Sequence, residues 1–74
     1  DTKMSTAKVA TKNACMSVNQ VKEICKLFSM DDDKLEYAKY AYDYCTEKDK
    51  YYLVGDIFSF SDNTEELNRF LEGK

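Results

Sequence analysis

Turn-forming residues are scarce in this 74-residue chain. Proline is absent, and glycine occurs only at Gly55 and Gly73. Small sheet-rich domains need such residues at their hairpins and loops, so the balance favours helices. Apolar residues also recur with helical period from one end of the chain to the other. We therefore predict one all-α domain over residues 1–74, folded as a compact bundle of four to five short helices.

The first two predicted helices differ in the strength of their apolar faces. In the first segment the shared face is weak and rich in alanine, and consists of Met4, Ala7, Ala10 and Ala14. The second helix has a clean apolar face, formed by Val18, Val21, Ile24, Cys25 and Phe28. Ser17 and Gln20 precede this face at capping-box spacing, because a serine hydroxyl can accept the N–H three residues on while the glutamine reaches back.

Three further helices are indicated by start signals. Residues 31–33 are all aspartate, and carboxylates in a first turn accept free N–H groups and favour the positive end of the helix dipole. We expect this third helix to extend from about Asp32 to Thr46. A fourth helix should start near Tyr51, and Gly55 within it should permit a close helix contact.

The last helix should begin within residues 61–64, where Asn63 and Glu66 have capping-box spacing. The predicted core combines the apolar faces of all these helices. Its members are Val21, Ile24, Phe28, Leu35, Ala38, Ala41, Cys45, Leu53, Val54, Ile57, Phe58, Leu67 and Phe70.

Two pairs of segments match each other at an offset of about thirty residues. Residues 3–10 (KMSTAKVA) align with residues 34–41 (KLEYAKYA), and residues 27–32 (LFSMDD) align with residues 57–62 (IFSFSD). The chain is thus organised as two helix pairs and half of a third, which predicts a right-handed stack of repeated pairs.

The charge distribution argues against binding to nucleic acid. Up to Lys26 the chain contains five lysines against Asp1 and Glu23, a balance of +3, and the remainder contains six basic and twelve acidic residues, a balance of −6. A net charge of −3 supplies no cationic footprint for a phosphate backbone. The apolar runs are also too short to span a membrane.

No pattern in the sequence indicates catalysis, a metal site or a cofactor site. Histidine is absent, and Cys15, Cys25 and Cys45 show no C-x-x-C spacing, so we expect buried apolar thiols, with one disulfide as the alternative. Consecutive aspartates without a following glycine favour helix capping over calcium binding. We predict that the domain is not an enzyme.

A stripe of tyrosines is the candidate contact surface. Tyr37, Tyr40 and Tyr44 lie at helical spacing beside the predicted buried face of the third helix, and Tyr51 and Tyr52 could extend the stripe. Such a wide apolar arc is typical of a central helix in a bundle, with hydroxyls at its rim. It is also typical of an interface, since tyrosines are favoured anchors.

Several stretches of the chain resemble the DUF4476 family, a bacterial domain family of unassigned function. They are QVKEICKLFSM at residues 20–30, KLEYAKYAYDY at 34–44, YYLVGDIFSF at 51–60 and EELN at 65–68. Many relatives have an arginine where this chain has Lys34. The resemblance implies a helical domain from a Bacteroides-like bacterium, exported behind a signal or lipoprotein leader, although a cytoplasmic location is compatible with the residues. It implies no catalytic residues.

Two functional hypotheses follow. The first is a non-catalytic module that binds another protein through the tyrosine stripe. The second is a structural or spacer domain of a longer chain, with no separate partner. The chain starts at Asp1 and not at methionine, so we expect it to be the C-terminal domain cut from a longer protein.

Overall fold

A computed structural model describes residues 2–74 and confirms the all-α fold. Within this part of the chain, two 3₁₀ helices lie between the third and fourth α-helices, and the β-pairing consists of one isolated parallel bridge between Met16 and Cys45. The α-helices are α1 (Thr2–Lys12), α2 (Val18–Cys25), α3 (Asp31–Ala41) and α4 (Ser61–Glu72). The short 3₁₀ helix spans Tyr42–Tyr44 and the long 3₁₀ helix spans Lys48–Ile57.

Helix α3 lies at the centre of the bundle. It contacts α1, α2 and α4, and the long 3₁₀ helix packs against α2 and α4. The buried apolar side chains come from every helix except the short 3₁₀ helix, together with the connections. They are Met4, Met16, Val18, Val21, Cys25, Phe28, Leu35, Tyr37, Ala38, Ala41, Cys45, Tyr51, Val54 and Leu67.

The predicted core is correct in its centre and wrong at its edge. Leu53 is 36% exposed, because the long 3₁₀ helix turns it outward. Ile24, Ile57, Phe58 and Phe70 are half-buried and pack against the core from outside. The sequence analysis did not place Tyr37 and Tyr51 in the core, and both are fully buried.

The predicted capping box at α2 is confirmed. The Gln20 N–H donates to Ser17 Oγ over 3.2 Å, and the Ser17 N–H donates to Gln20 Oε1 over 2.9 Å. A third contact comes from far along the chain, because the Val18 N–H donates to Glu47 Oε1 over 2.9 Å. The start of α2 is therefore fixed both locally and by a carboxylate 29 residues away.

The three aspartates lie in the first turn of α3, as predicted, but Asp31 accepts N–H groups from a different segment of the chain. The Asp31 carboxylate accepts the backbone N–H groups of Ser59 and Phe60, each over 2.9 Å, so it anchors the segment that leads into α4. Met30 is the N-cap of α3 and Phe60 is the N-cap of α4, and neither makes a side-chain cap bond. The capping box predicted within α4 does not form.

Helix α3 ends at Ala41, five residues before the predicted Thr46. The Met16 N–H donates to the Tyr44 carbonyl over 3.0 Å, and the Thr46 N–H donates to the Met16 carbonyl over 2.8 Å. This bridge holds Cys45 in an extended conformation, which an α-helix cannot accommodate. Tertiary pairing therefore overrides the helical pattern of residues 42–46.

The long 3₁₀ helix starts at Lys48, three residues before the predicted Tyr51. The close contact expected at Gly55 is confirmed, since a Cβ on this residue would lie 3.0 Å from Thr64 Cγ2 of α4. The Thr64 hydroxyl also donates to the Gly55 carbonyl over 3.1 Å. Glycine thus brings the long 3₁₀ helix into contact with α4.

The two matched segments 27–32 and 57–62 share one local conformation. Met30 has φ −100° and ψ 135°, and Phe60 has φ −112° and ψ 132°. Helix α3 begins at Asp31 and helix α4 at Ser61, thirty positions apart. The right-handed stacking of repeated pairs stays a prediction.

Candidate functional site

The structure divides the predicted tyrosine stripe, and its first member belongs to the core. Tyr37 is fully buried, and its hydroxyl is hydrogen-bonded to the Thr11 hydroxyl of α1. Its ring centroid lies 6.0 Å from that of Phe28. Burial raises the pKa of the Tyr37 hydroxyl. Tyr37 therefore offers no surface to a partner, which corrects its assignment as a contact residue.

Tyr40 of α3 and Tyr44 of the short 3₁₀ helix are half-buried, and Tyr40 contacts α1. Their ring centroids lie 5.4 Å apart, and the Lys8 ammonium lies 5.3 Å from the Tyr40 ring centroid. The Tyr40 hydroxyl also donates to the Lys8 carbonyl over 3.4 Å. The neighbouring Tyr44 hydroxyl raises the pKa of Tyr40. These contacts give the pair a role in packing, with ring edges left at the surface.

Tyr52 is the one predicted contact residue that is largely exposed, at 60% of its surface. It lies on the long 3₁₀ helix between buried Tyr51 and partly exposed Leu53. The Tyr51 hydroxyl donates to the Ala38 carbonyl inside the core. Tyr51, the other residue predicted to extend the stripe, is therefore part of the core, and the candidate tyrosines do not form one continuous surface.

A groove that the sequence analysis did not anticipate runs between α1 and α2. It has two sections, of about 460 Å³ and about 360 Å³. Ala10 and Ile24 line both sections, so the groove is continuous along the two helices. The remaining apolar lining consists of Ala14 and Met16 towards one end and of Ala7, Leu27 and Phe28 towards the other.

The groove exists because only the first part of the face predicted for α1, Met4 and Ala7, packs against the core. Met4 and Thr11 are buried against the bundle, whereas Ala10 and Ala14 of the predicted stripe are exposed. The Thr11 hydroxyl can be buried because it donates to the Ala7 carbonyl over 2.8 Å and also meets Tyr37. An alanine methyl gains little from burial, so the alanine face is the one left open.

The walls of the groove add larger side chains to this alanine floor. Leu27 is 63% exposed at one end, and Ile24 is half-buried in the middle. Polar rim residues include Thr6, Asn19, Gln20 and Glu23. The groove is thus apolar in its floor and polar at its edges, as binding clefts for other molecules usually are.

The two helices that form the groove carry an excess of positive charge. Residues 2–26 contain five lysines and one glutamate, a balance of +4, while residues 27–74 carry −6. Glu23 is paired with Lys26 over 3.1 Å, and Lys8 reaches Glu36 of α3 over 2.9 Å. The lining of the groove itself includes one residue of each charge, Lys3 and Glu23.

The three cysteines are free. Cys25 and Cys45 are buried, as predicted, but Cys15 is exposed in the connection between α1 and α2, so its predicted burial is wrong. Burial raises the pKa of the Cys25 thiol to about 12.

Within residues 2–74, no group of three or more histidine, cysteine, aspartate or glutamate side chains is placed to bind a metal ion. Nor does any helix there combine the length and hydropathy needed to cross a membrane.

The family model of a domain of unknown function, DUF4476, matches residues 1–71. The chain belongs to the DUF4476 family. Neither the curated proteins nor the solved structures provide a significant match to it. The groove of this DUF4476 domain is formed by residues 3–28, all of which lie within the matched range.

Proposed function

We propose that this domain is a non-catalytic protein-interaction module of an exported bacterial protein, and that it binds a helix of another protein in the groove between α1 and α2. The observation that carries the proposal is the open apolar groove on an otherwise well-packed domain. Exposed apolar surface with a polar rim is characteristic of binding sites.

The shape of the groove supports a helix as the bound element. Its floor consists of the alanines of α1, whose small side chains let a partner backbone approach closely. Ile24 of α2 and Leu27, just beyond the end of α2, form a wall against which larger apolar side chains can pack. Recognition of an amphipathic helix by an apolar groove is a recurring mode of protein binding.

The reactive groups of the core support a non-catalytic role. Cys25 keeps its proton at neutral pH, because burial raises the pKa of its thiol to about 12, and a protonated thiol is a poor nucleophile. The buried hydroxyls of Tyr37 and Tyr51 are each engaged by a hydrogen bond inside the fold. We assign these groups to packing.

The tyrosines supply a second, weaker candidate surface. Tyr52 is exposed, and the ring edges of Tyr40 and Tyr44 reach the surface at the junction of α1 and α3. The alternative function, a structural domain without a separate partner, would place another part of the same polypeptide in the groove.

Site-specific photo-crosslinking in cells that produce the full-length parent protein tests the proposal. A photoreactive phenylalanine analogue replaces Ala10 in the groove, with Val9 and Tyr52 as matched exposed positions elsewhere. The proposal predicts adducts with a second protein from position 10, and few from position 9. Adducts within the same polypeptide would support the structural alternative. Adducts from position 52 alone would move the interface to the tyrosines.

A further inference from the structure

We infer that the groove between α1 and α2 binds a second copy of this chain, so that two copies form a weak dimer with two-fold symmetry. This inference rests on the proposed function and identifies the polypeptide whose helices fill the groove. It follows from the arrangement of the two sections of the groove, from an exposed leucine in one of them, and from the placement of two opposite charges in the lining.

The two sections of the groove meet at Ala10 and Ile24, which line both of them. The smaller section extends from this junction towards Lys3 and Leu27, and the larger section extends towards Met16. A two-fold axis that lies in the plane of the interface and crosses the groove at the junction exchanges its two ends. In such a dimer the smaller section of each copy lies over the larger section of the other.

An exposed side chain in the smaller section matches the space in the larger one. Leu27 lines the smaller section, just beyond the end of α2, and is 63% exposed. The larger section has a volume of about 460 Å³, and its lining includes the small side chains of Ala10 and Ala14. The two-fold arrangement places Leu27 of each copy over the larger section of the other copy. Because large side chains pack closely against small ones, this contact forms twice in the dimer.

The charges in the lining are complementary under the same symmetry. Lys3 lies in the smaller section and Glu23 in the larger one, and among residues 2–74 no other charged side chain lines either section. The dimer therefore brings Lys3 of each copy to the section that contains Glu23 of the other. Opposite charges that face each other across an interface favour association and fix its register.

Both charged groups are able to make a contact with the other copy. The Lys3 ammonium donates to the Leu27 carbonyl over 3.0 Å, which holds it at its end of the groove, and an ammonium has two further N–H groups to donate. Glu23 pairs with Lys26 over 3.1 Å, but both side chains are largely exposed, and such a surface pair contributes little that a new contact would lose. Attraction is therefore expected at both ends of the interface.

The size of the domain limits the strength of this dimer. Specific interfaces of standard size bury about 800 Å² on each partner. The whole surface of this domain measures 4662 Å², so a groove between two of its short helices falls at the lower end of that class. We expect a dissociation constant of about 10–100 µM, so that the dilute chain is monomeric with an open groove and the concentrated chain is dimeric. Measurements on the open groove therefore use the dilute chain.

Analytical ultracentrifugation of the reduced chain over concentrations from about 1 µM to about 1 mM tests the dimer. The mean mass should rise from 8.6 kDa, the mass of one chain, towards that of two. Leu27→Ala should weaken association by about tenfold, whereas Val9→Ala, at an exposed position outside the groove lining, should leave it unchanged. Thermal melts verify that both variants fold. A chain that stays monomeric throughout, or equal weakening by the two variants, overturns the inference.

Charge reversals test the two-fold arrangement itself. Lys3→Glu and Glu23→Lys, each alone, place like charges across the interface and should weaken self-association by about tenfold. An equimolar mixture of the two variants should form a mixed dimer about as tightly as the unmodified chain, because each contact again joins opposite charges. Mixing would not repair a loss of structure in either variant. A mixture that associates no better than the separate variants overturns the inference.

The outcomes separate this inference from the proposed function. Crosslinking from position 10 to a second copy of the parent protein supports the dimer. If the purified chain stays monomeric although position 10 crosslinks to a different protein in cells, the second copy is wrong and the protein-interaction module stands. If the chain is monomeric and position 10 crosslinks to no second polypeptide, both proposals fail.

Discussion

Residues 3–10 of α1 and residues 34–41 of α3 match in sequence but differ in their surroundings. Ala7 corresponds to Ala38 and Ala10 to Ala41. In α3 both alanines are fully buried, whereas in α1 Ala7 is half-buried and Ala10 is exposed in the groove. The same spacing of alanines therefore serves once as core and once as open surface.

The neighbours of each helix account for this difference. Helix α3 has α1, α2 and α4 packed around it, and it carries Tyr37 where α1 carries Thr6. A tyrosine buries a large ring, while Thr6 stays exposed at the rim of the groove. An alanine pattern alone does not decide burial, because the large residues beside the alanines determine which face the bundle covers.

The sharpest contrast should appear at the end of the groove, where a core residue and a surface residue are adjacent. Phe28 is 4% exposed and Leu27 is 63% exposed. Phe28→Ala should lower the free energy of unfolding by about 3–5 kcal/mol, enough to unfold much of so small a domain. Leu27→Ala should change it by less than about 0.5 kcal/mol. Urea unfolding of both variants checks this, and equal effects would place the core boundary elsewhere.

Alkaline pH should distinguish the buried thiol of Cys25 in α2 from the exposed thiol of Cys15. The unfolded thiol ionises near its ordinary pKa of 9.0, whereas burial raises the folded pKa of Cys25 to about 12. Above pH 9.0 the folded state therefore binds more protons, and its stability falls as pH rises. Cys25 alone should remove about 3 kcal/mol by pH 11.

Urea unfolding at pH 8 and pH 11 measures this loss. Cys25→Ala should reduce the dependence of stability on pH, whatever it does to stability itself, while Cys15→Ala should not alter it. The burial of Tyr37 and Tyr51 also raises their pKa values and adds to the loss in every variant. An unchanged pH dependence in Cys25→Ala would show that this thiol is not desolvated.

Substituting leucine for one alanine in α3 and for one in α1 compares the packing of the two helices directly. Ala38→Leu should destabilise the domain by about 1–3 kcal/mol, because the added atoms have no space in the core. Ala10→Leu should be tolerated within about 0.5 kcal/mol, because its side chain enters the open groove. Thermal melts of the two variants provide the measurement. A large loss with Ala10→Leu would mean that the groove is closed.

The smallest expected effect concerns the second pair of matched segments. Asp31 and Ser61 occupy equivalent positions, but only the Asp31 carboxylate accepts the Ser59 and Phe60 N–H groups. Asp31→Ala should cost about 1–2 kcal/mol by removing that acceptor, and Ser61→Ala should cost less than about 0.5 kcal/mol. Denaturant unfolding of both variants tests the asymmetry, and similar losses would contradict it.

The sequence was sufficient to predict the features that depend on local chemistry. The all-α class, the capping box of Ser17 and Gln20, and the close contact at Gly55 are all confirmed. Features that depend on distant partners were missed. Asp31 bonds to a segment 28 residues away, and the bridge between Met16 and Cys45 ends α3 early. No local pattern encodes such pairings.

The candidate site was predicted only in part for the same reason. Helical spacing placed the tyrosines on one helix face, but the position of α1 buries Tyr37 through Thr11 and half-covers Tyr40. The alanine stripe was visible in the sequence as a weak face. Its exposure could not be read from the sequence, because it depends on a hydrogen bond between two residues 26 positions apart.

Solvent exposure of the alanine methyl groups tests the central claim most directly. The chain is labelled with ¹³C at its alanine methyls, and a soluble paramagnetic reagent is added while NMR line widths are recorded. The account predicts strong broadening of Ala10 and Ala14 and little broadening of Ala38 and Ala41, whose side chains are buried. If Ala10 is as protected as Ala41, the groove is filled in solution and the open binding surface does not exist.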